Sequence, residues 1–549
     1  MYQYTEQEKT QIVQRANQFQ GQVDRFLDNK ITPDNFQQLR LRNGLYKQRQ
    51  AHMLRVAIPY GCMSSTQLRK MADIADKYDK GYGHFTTRQN IQYNWPELVD
   101  VPEILQELAA VDMHAIQTSG SCIRNISSDH LAGVATDEIA DPRPWCEMIR
   151  NWGNLHAEFN WLPRKFKFAV TGATEDRAVI QLHDIGLRIV KDDETGTYFD
   201  VYVGGGMGRT PIIAKLIKAS LPGEELLHNL QAIIRVYNQY GRRDHKYRSR
   251  IKILVNDLGV EEFTKRVDEE LQNSLANAPK LDTEKLAGLK KVFAFRRPAP
   301  EQNIGAVELP ITDPVYASWL KHNTVEHQNQ NERIVMVSLK SKGVAPGDIT
   351  SGQMHHLANL AEEYSLSEIR ATHGQNLVLP HVQEKDLYTL WRGLDEQQLA
   401  TPNIGTLTDM IACPGFDFCS LANTTTLDIA DQITQHFSDL SKLHDLGEVT
   451  LKISGCMNSC AHHHAGNIGV LGVDKKGEQW YQLTLGGRSD NQTTVGKRIG
   501  PAIAKAKLTD AISTIVDVYL AQRQVGEHFI QCVERIGIEP FKEQIYATH

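Results

Sequence analysis

The sequence repeats itself, and the two copies keep almost the same spacing at two separate places. The segment QLRKMADIADKY at 67–78 is similar to QMHHLANLAEEY at 353–364, and apolar residues recur along one helical face of each. Eleven residues after the last tyrosine of each segment, a Gln-Asn pair opens a strand-like stretch. The two pairs are Gln89-Asn90 and Gln375-Asn376, and the offset between them is 286.

A second match follows in the same order. The strand-like segments KFKFAVTG and TLKISG end at Gly172 and Gly455, an offset of 283, and each leads on to a glycine cluster. Two nearly equal offsets indicate one duplicated unit, which covers about residues 50–250 and 335–520. Each copy alternates helix and strand, so we expect an internally duplicated α/β (α+β) fold with pseudo-two-fold symmetry. A cavity between the halves is then the natural place for a large ligand.

The segments outside the repeat carry weaker signals. Residues 1–49 indicate one helix followed by an arm, and residues 277–310 indicate a connector between the halves. The tail after 520 indicates a helix with an irregular end.

The charge balance narrows the range of partners. The 549 residues carry a formal net charge of −6 with both signs interspersed. This disfavours nucleic acid or an anionic membrane as the main partner. There is no apolar run long enough to span a membrane, and the polar N-terminus lacks the apolar core of a secretory signal. We therefore expect a cytoplasmic protein.

Four of the eight cysteines form two close pairs, Cys413-x5-Cys419 and Cys456-x3-Cys460. Four thiolates suit either zinc or an iron–sulfur cluster. The wide spacing within the first pair and the long gap between the pairs fit a zinc ribbon less well, so an iron–sulfur cluster is favoured, with zinc or no metal as alternatives. We expect buried or incidental thiols at the other four positions, Cys62, Cys122, Cys146 and Cys532.

Three consecutive histidines, His462, His463 and His464, follow shortly after Cys460. Consecutive residues of a helix do not face one direction, so they cannot all bind one metal. We interpret them as a solvated or capping run near a helix start.

The first copy lacks the cysteines and carries cations instead. In LPRKFKF, strand alternation places Lys165 and Lys167 on one face. Three arginines of the same copy, Arg55, Arg88 and Arg124, lie in or beside strand-like segments. The neighbours of Arg55 and Arg124 are mostly apolar or small. Each arginine could simply pair with a carboxylate, but together these side chains would bind an oxyanion or a carboxylate.

The glycine cluster GGGMGR at 204–209 follows a strand, but no acidic residue at the expected distance completes a dinucleotide-binding fingerprint. We interpret it as a close backbone approach to a flat cofactor, or as a tight turn.

Taken together, these motifs resemble the siroheme-containing sulfite and nitrite reductases. The resemblance rests on LRVAIP, TTRQNIQ, CIRN, LPRKFKF, VGGG, CPGFDFC and GCMNSC followed by NIGVLG, in this order from about residue 40 to 530. It implies a three-domain fold, with paired ferredoxin-like half-domains at 50–118 and 330–400. An N-terminal helix and arm (1–49), a substrate and siroheme domain (119–329) and a [4Fe-4S] and siroheme domain (401–549) complete it.

The resemblance also implies the roles of individual residues. Cys413, Cys419, Cys456 and Cys460 would hold a [4Fe-4S] cluster, and Cys460 would also bridge it to siroheme. Arg55, Arg124, Lys165 and Lys167 match the cations that face the substrate. Arg88, Gln89 and Gln92 match a segment that approaches the siroheme and its carboxylates.

The implied function is an assimilatory sulfite reductase haemoprotein, which reduces sulfite to sulfide with six electrons in sulfur assimilation and cysteine biosynthesis. A nitrite reductase that forms ammonia is the alternative within the family. An iron–sulfur carrier without catalysis and a zinc-stabilised binding protein are alternatives outside it. Because no flavin or nicotinamide domain is recognisable, we expect an external electron donor, either ferredoxin or a separate flavoprotein.

Overall fold

The computed structural model describes residues 4–154, 156–294 and 313–547. The helices are α1 (Glu6–Leu27), α2 (Pro33–Arg42), α3 (Ser65–Tyr78), α4 (Val101–Ala109), α5 (Arg143–Gly153), α6 (Leu226–Tyr240), α7 (Ile251–Leu258), α8 (Val260–Ser274), α9 (Thr283–Phe293), α10 (Pro314–Asn323), α11 (Ser351–Tyr364), α12 (Leu387–Glu396), α13 (Leu427–His436), α14 (Leu440–Leu446), α15 (Leu508–Gln522), α16 (Phe529–Ile536) and α17 (Glu539–Ala547).

The strands are β1 (Leu45–Lys47), β2 (His52–Val56), β3 (Cys62–Ser64), β4 (Tyr82–Phe85), β5 (Ile91–Tyr93), β6 (Ser127–Ser128), β7 (Phe168–Thr171), β8 (Ile185–Asp193), β9 (Gly196–Val203), β10 (Lys215–Pro222), β11 (Thr324–Glu326), β12 (Glu332–Val337), β13 (Asp348–Thr350), β14 (Glu368–Ala371), β15 (Leu377–Gln383), β16 (Ile411–Ala412), β17 (Leu451–Ser454), β18 (Ile468–Lys475), β19 (Glu478–Leu485), β20 (Lys497–Arg498) and β21 (Ile503–Ala504).

Two of the sheets exchange a strand. One sheet has the order β1-β2-β5-β4-β13 and the other β11-β12-β15-β14-β3, so each copy of the repeat lends its third strand to the sheet of the other copy. The helices that follow these lent strands, α3 and α11, both begin with a capping box, at Ser64 and Thr350. The two small repeats therefore form one body with one shared apolar core.

The two larger sheets have the same topology as each other. In the first, β6, β7 and β8 are parallel and β9 and β10 continue antiparallel. In the second, β16, β17 and β18 are parallel and β19 and β20 continue antiparallel. Each sheet has its own apolar core. The duplicated α/β architecture expected from the two offsets is confirmed.

The pseudo-two-fold axis is visible at the level of single hydrogen bonds. The Gln89 side-chain amide donates to the carbonyl oxygen of Ala371 at 3.0 Å, and the Gln375 amide donates to the carbonyl oxygen of Phe85 at 3.1 Å. Donors and acceptors of these two bonds are related by the same offset as the Gln-Asn pairs. Gln89 and Gln375 also share a left-handed backbone, with φ of 54° and 61°. The Gln-Asn pairs that revealed the repeat thus join the two halves to each other.

The N- and C-terminal segments differ from expectation. The N-terminal segment contains two helices, α1 and α2, where one was expected, because Thr32 and Pro33 start a second helix. The tail is helical to Ala547 through α16 and α17, so the irregular end was wrong. The connector includes α9, and its last part, with RRPAPEQ, lies outside the described residues. In the part of the chain that the structure describes, no helix is long and apolar enough to cross a membrane.

A buried ion-pair network fastens the second half-domain sheet to the first large domain. Glu368 on β14 accepts from Arg370 at 2.8 Å and from Arg143 of α5 at 3.1 Å, and both guanidinium groups are buried. Burial raises the pKa of Glu368, but Arg370, a hydrogen bond with His381 and Arg143 outweigh it and hold that pKa well below 4.5. The carboxylate is therefore ionised when folded at neutral pH.

Glu368→Gln should lower the free energy of unfolding by about 3–5 kcal/mol near neutral pH, because it leaves buried Arg370 without its carboxylate and buried Arg143 with Asp141 alone. A lowered folded-state pKa stabilises the protein above the unfolded value of 4.5, and that stabilisation is lost as the pH falls below it. Urea unfolding at several pH values should show the gap between variant and wild type closing below about pH 4.5. The exposed Glu384→Gln variant is the control, and an equal effect there would contradict the assignment.

Candidate active site at the cysteine turns

The two cysteine pairs lie side by side at the carboxyl ends of neighbouring parallel strands. Cys413 directly follows β16 and Cys456 follows β17, as the sequence indicated for the second pair. The backbone N–H of Gly455 donates to Cys413 Sγ at 3.2 Å. Gly415 has a φ of 57°, and a Cβ on Gly455 would lie 3.0 Å from the Gly415 Cα. The two turns can approach this closely only because both positions are glycine.

The spacing of the four sulfurs argues against a single ion. Within the described residues, only His327, Glu332 and His381 place three ligand atoms within 4.8 Å of one another, so no three of the four sulfurs are that close. One tetrahedral zinc, with Zn–S near 2.3 Å, would hold its sulfurs less than about 4 Å apart. Burial, and then electrostatic repulsion from Cys460, raise the pKa of Cys413 to about 12. The two sulfurs are therefore close enough to interact electrostatically. These thiols lie near one another but too far apart for one ion, and they need a nearby cation in order to ionise. Both properties fit a cluster with several irons.

The buried group His327, Glu332 and His381 is poorly suited to hold a metal ion. The backbone N–H of Asn329 donates to His327 Nδ1 at 2.8 Å, so the proton of the neutral ring sits on Nε2. That nitrogen lies 3.3 Å from Glu332 Oε2. A metal would need the same nitrogen without its proton.

The histidine run is not solvated. His462 and His463 are buried, with 3% and 0% exposure, so the expectation of a solvated run was wrong for both. His462 has a left-handed backbone and precedes a single 3-10 turn, His463–Ala465, which folds back against β18. His464 Nε2 lies 3.0 Å from the carbonyl oxygen of Gly208 in the other half.

Lys165 and Lys167 alternate with Phe166 and Phe168, which are fully buried, so the expected division of faces is confirmed. Burial, then Arg124 and Arg250, lower the pKa of Lys165 to about 8. Burial, then Lys165, lower the pKa of Lys167 well below 10.5. Both ammonium groups lie where positive charge is concentrated and water is scarce.

Arg55 and Arg124 bond to neutral oxygens and not to carboxylates in the described residues. Arg124 donates to the carbonyl oxygens of Thr118 at 2.7 Å and Gly120 at 2.8 Å, and Arg55 donates to Gln92 Oε1 at 3.1 Å. Among the residues that the structure describes, neither guanidinium has an ion-pair partner, so the alternative interpretation was wrong for both.

Sequence reasoning missed Tyr46 on β1. Its ring centroid lies 5.1 Å from Arg55 Cζ. Burial raises the pKa of the Tyr46 phenol, but Arg124, Arg55 and Lys165 outweigh it and lower the pKa to about 8. No local pattern marks a tyrosine near the N-terminus as a neighbour of Lys165, which is far away in the chain.

Arg88, Gln89 and Gln92 lie on and beside β5. Arg88 donates to Ser127 Oγ and to the Asn125 carbonyl oxygen, both at 2.5 Å, and it contacts His183 Nε2. Burial and then Arg124 lower the pKa of Arg88 to about 9. The amide of Gln89 is engaged by the protein, since it also donates to the Ser128 carbonyl oxygen and accepts from the Ser128 N–H. The role of Gln89 toward a ligand is therefore to hold the loop.

The loop that contains Arg88 also contacts Cys460 directly. Thr87 Oγ1 donates to the Cys460 carbonyl oxygen at 2.9 Å, and the Thr87 carbonyl oxygen lies 2.9 Å from His373 Nδ1. The rings of His373 and His462 are 4.9 Å apart. Loops of both halves therefore meet at Cys460.

Comparison with known families decides the identity. The model of the nitrite and sulphite reductase 4Fe-4S domain matches residues 119–275 and 405–549. The model of the nitrite/sulfite reductase ferredoxin-like half domain matches residues 46–111 and 327–397. The chain belongs to the nitrite and sulphite reductase family. The cofactors that follow from the family are siroheme and a [4Fe-4S] cluster.

Relatives in this family carry both substrate names. "Sulfite reductase [ferredoxin] 1" of Mycolicibacterium paratuberculosis is 27% identical over 89% of this chain and 83% of its own. "Assimilatory ferredoxin-dependent nitrite reductase" of Haloferax mediterranei is 28% identical over 91% of this chain and 85% of its own. The solved structure of the Mycobacterium tuberculosis NirA protein has a TM-score of 0.76 and 26% identity, covering 93% of this chain and 92% of that one.

The residues present fit the two cofactors of the family. Four thiols from two neighbouring turns lie on one side. Buried polar atoms without a hydrogen-bond partner in the described residues include Arg55 Nε, His373 Nε2 and His462 Nδ1. A macrocycle with carboxylates would supply acceptors for the guanidinium groups and balance the surplus of positive charge.

The glycine cluster forms a tight loop that packs against the protein backbone. A Cβ on Gly205 would lie 2.3 Å from the Gln181 carbonyl oxygen and 2.5 Å from that of His183. Gly487, the equivalent glycine of the second copy, meets the carbonyl oxygens of His464 and Gly466 in the same way. The close approach is to the protein backbone in both halves.

In the first half, an ion pair lies at the positions that correspond to Cys413 and Cys460. Val179 and His462 are related by the same offset as Gly172 and Gly455, and both have left-handed backbones, with φ of 56° and 57°. That offset also pairs Arg177 with Cys460, and the strand register pairs Asp129 with Cys413. Arg177 Nη2 lies 2.8 Å from Asp129 Oδ2. The duplicated turns therefore kept their backbone shape, while one holds an ion pair and the other the cysteines.

Proposed function

We propose that this chain is the haemoprotein of an assimilatory sulfite reductase, which reduces sulfite to sulfide. The observation that carries the proposal is the meeting of four cysteines from one half with a cluster of half-buried cations from the other. When bound, siroheme and the cluster would pass on the six electrons that the external donor supplies and would provide the iron at which the anion is reduced. Nitrite reduction to ammonia is the second candidate, because relatives of similar identity carry either name.

The proposed substrate side consists of Arg55, Arg124, Lys165 and Lys167. Fixed cations in a site with little water favour binding of a small dianion and stabilise the negative charge that develops as its S–O bonds break. An ammonium group whose pKa lies near 8 also releases a proton more readily than an ordinary lysine. Lys165 is therefore the preferred proton donor.

The proposed cofactor side consists of the cysteine turns and the β5 segment. Cys413, Cys419, Cys456 and Cys460 would ligate the cluster, and Cys460 would be shared with the siroheme iron. Arg88 and Gln92 would orient the macrocycle, with Gln89 holding their loop across the pseudo-two-fold axis. A non-catalytic iron–sulfur carrier would have no use for the half-buried cations opposite, so the carrier hypothesis is disfavoured.

Three finer points belong to this proposal. Ferredoxin is the preferred electron donor, because the sulfite and nitrite reductases compared above are named for it. A cytoplasmic location fits the sequence. The domain bounds 1–49, 50–118 with 330–400, 119–329 and 401–549 remain a prediction. Three apolar cores agree with the last three in outline, but the half-domain core also includes residues of α1, α2 and α10.

Steady-state kinetics test the choice of substrate. The holoenzyme, with siroheme and cluster checked by visible absorption and by iron and labile sulfide analysis, is supplied with electrons from reduced methyl viologen. We expect a higher kcat/KM for sulfite than for nitrite. Sulfite turnover near zero beside rapid nitrite turnover would reject the sulfite assignment, and no turnover of either anion would reject the function.

A further inference from the structure

Two equivalent loops cover the two duplicated turns. Residues 204–212, which we call the glycine loop, lie over the cysteine turn, and residues 486–494 lie over the turn at 173–177. Isolated bridges close both loops in the same way, Gly206 with Ile212 and Arg488 with Thr494. Aligning the two bridges makes Arg209 correspond to Asn491.

The two covers differ in how they are attached. Asn491 accepts from the Asp176 N–H at 3.1 Å and from Arg188 at 2.6 Å, and it donates to the Thr174 carbonyl oxygen at 3.0 Å. Arg209 is exposed and makes no hydrogen bond or ion pair with any residue that the structure describes. A Cβ on the neighbouring Gly208 would lie 3.9 Å from the carbonyl oxygens of Met457 and Asn458. Side-chain bonds from its cover seal the turn at 173–177. In the described residues the cysteine turn at 456–460 has no such bond from the glycine loop, which is attached beside it by His464 and Gly208.

The cysteine turn is correspondingly exposed. The Met457 side chain, directly after the proposed ligand Cys456, is 41% exposed. This is a large apolar side chain at the surface, next in the chain to a thiol that would hold iron. Electrons entering from outside would have a short path to the cluster at this place.

A basic segment flanks the same loop. Residues 241–250, GRRDHKYRSR, contain five arginines and lysines and one aspartate, in a chain whose net charge is −6. The segment ends against the glycine loop, because Lys252 Nζ donates to the Met207 carbonyl oxygen at 2.7 Å and Arg250 lies beside Gly206. Tyr247 is 58% exposed, and Lys246 has no ion-pair partner in the described part of the chain.

We propose that Arg209, Lys246, Tyr247, Arg248 and Met457, which we call the donor face, dock an acidic ferredoxin. The inference rests on the proposed function and names the surface through which its electrons arrive. Arg209 and Lys246 have no ion-pair partner in the described residues, while Arg248 is paired with Asp257. These two cations, with the exposed side chains of Met457 and Tyr247, match the composition of a transient interface, which has charge for steering and a small apolar area. The sealed turn in the other half shows that this loop shape can be closed by one asparagine, so the open, cationic version is specific to the half with the cysteines.

Charge reversal with two different reductants tests the donor face. In the holoenzyme, Arg209→Glu combined with Lys246→Glu should raise the KM for a plant-type [2Fe-2S] ferredoxin about tenfold or more at low salt. The effect should shrink at high salt, where exposed charges are screened. Turnover with reduced methyl viologen, which needs no docking, should stay at the wild-type level, and so should the visible absorption spectrum. Lys280→Glu combined with Lys385→Glu, two exposed lysines outside the donor face, is the matched control.

The possible results separate the inference from the function. An equal loss with ferredoxin and with methyl viologen would overturn it, because the two cations would then serve the cofactor pocket. An unchanged KM for ferredoxin would also overturn it. So would a variant whose KM rises only for an acidic flavodoxin and not for ferredoxin. Failure of the wild type to reduce either anion with methyl viologen would instead refute the proposed function. Calorimetric titration of oxidised ferredoxin should show weaker binding to the donor-face variant and wild-type binding to the control, without any turnover.

Discussion

Cys460→Ser should abolish sulfite and nitrite reduction, with kcat falling by about 1,000-fold or more, equivalent to about 4 kcal/mol of transition-state stabilisation. Cys460 is the one residue proposed to serve both cofactors, and its carbonyl oxygen is held by Thr87 of the other half. A serine hydroxyl is a poor substitute for a thiolate in an iron–sulfur site. Labile sulfide, iron content and the visible spectrum of the purified variant should change together with the activity.

Cys532→Ser is the matched control for this variant. Cys532 is a buried free cysteine of α16, in the apolar core of the last domain. Its replacement should cost about 1 kcal/mol of stability while cofactor content and turnover stay at wild-type levels. Wild-type turnover of Cys460→Ser would contradict the assignment of this residue as the shared ligand.

Lys165→Gln and Lys167→Gln should each lower kcat/KM for the anion by about 100-fold while both cofactors are retained. Both ammonium groups lie in the half-buried cation cluster, and removing one charge there weakens stabilisation of the reacting anion more than it disturbs the fold. The exposed Lys191→Gln variant on β8 is the control. Normal anion kinetics in both pocket variants would mean that the substrate binds elsewhere.

The pH dependence of the same reaction provides an independent check on Lys165. Because its pKa is lowered to about 8 by burial, Arg124 and Arg250, the ammonium loses its proton as the pH rises through 8, far below the ordinary value of 10.5. We therefore expect kcat/KM to fall above about pH 8. Lys165→Arg, which stays charged, should flatten this alkaline limb, and an unchanged limb in that variant would assign it to another group.

The sequence predicted the features that depend on local spacing. Gln89 and Gln375 revealed the duplication because a repeated unit keeps the same offsets. The placement of Cys456 at a strand end and the alternation of Lys165 with Phe166 followed from glycine turns and from the two-residue period of a strand. These patterns are contained within short stretches, so a single sequence is enough to recognise them.

Other features involve residues that meet only in the folded chain. The lent strands β3 and β13, the proximity of Tyr46 to Lys165 and the ion pair of Arg177 with Asp129 all join segments that are distant in the sequence. The histidine run was misjudged for the same reason. Polarity predicted exposure, but the turn is folded back against β18 and covered by the glycine loop.

The sequence alone determined three things about this protein: its duplicated architecture, its cluster-type cysteines and its family resemblance. Each of them is encoded by spacing along the chain. The tertiary structure alone decided which cations converge, which turn is sealed by Asn491 and which is left open beneath Arg209. The physical reason is that burial and electrostatic surroundings arise from packing between the two halves. Two equivalent turns with nearly the same backbone shape therefore hold different side chains. One holds the ion pair of Arg177 with Asp129, and the other holds the cysteines.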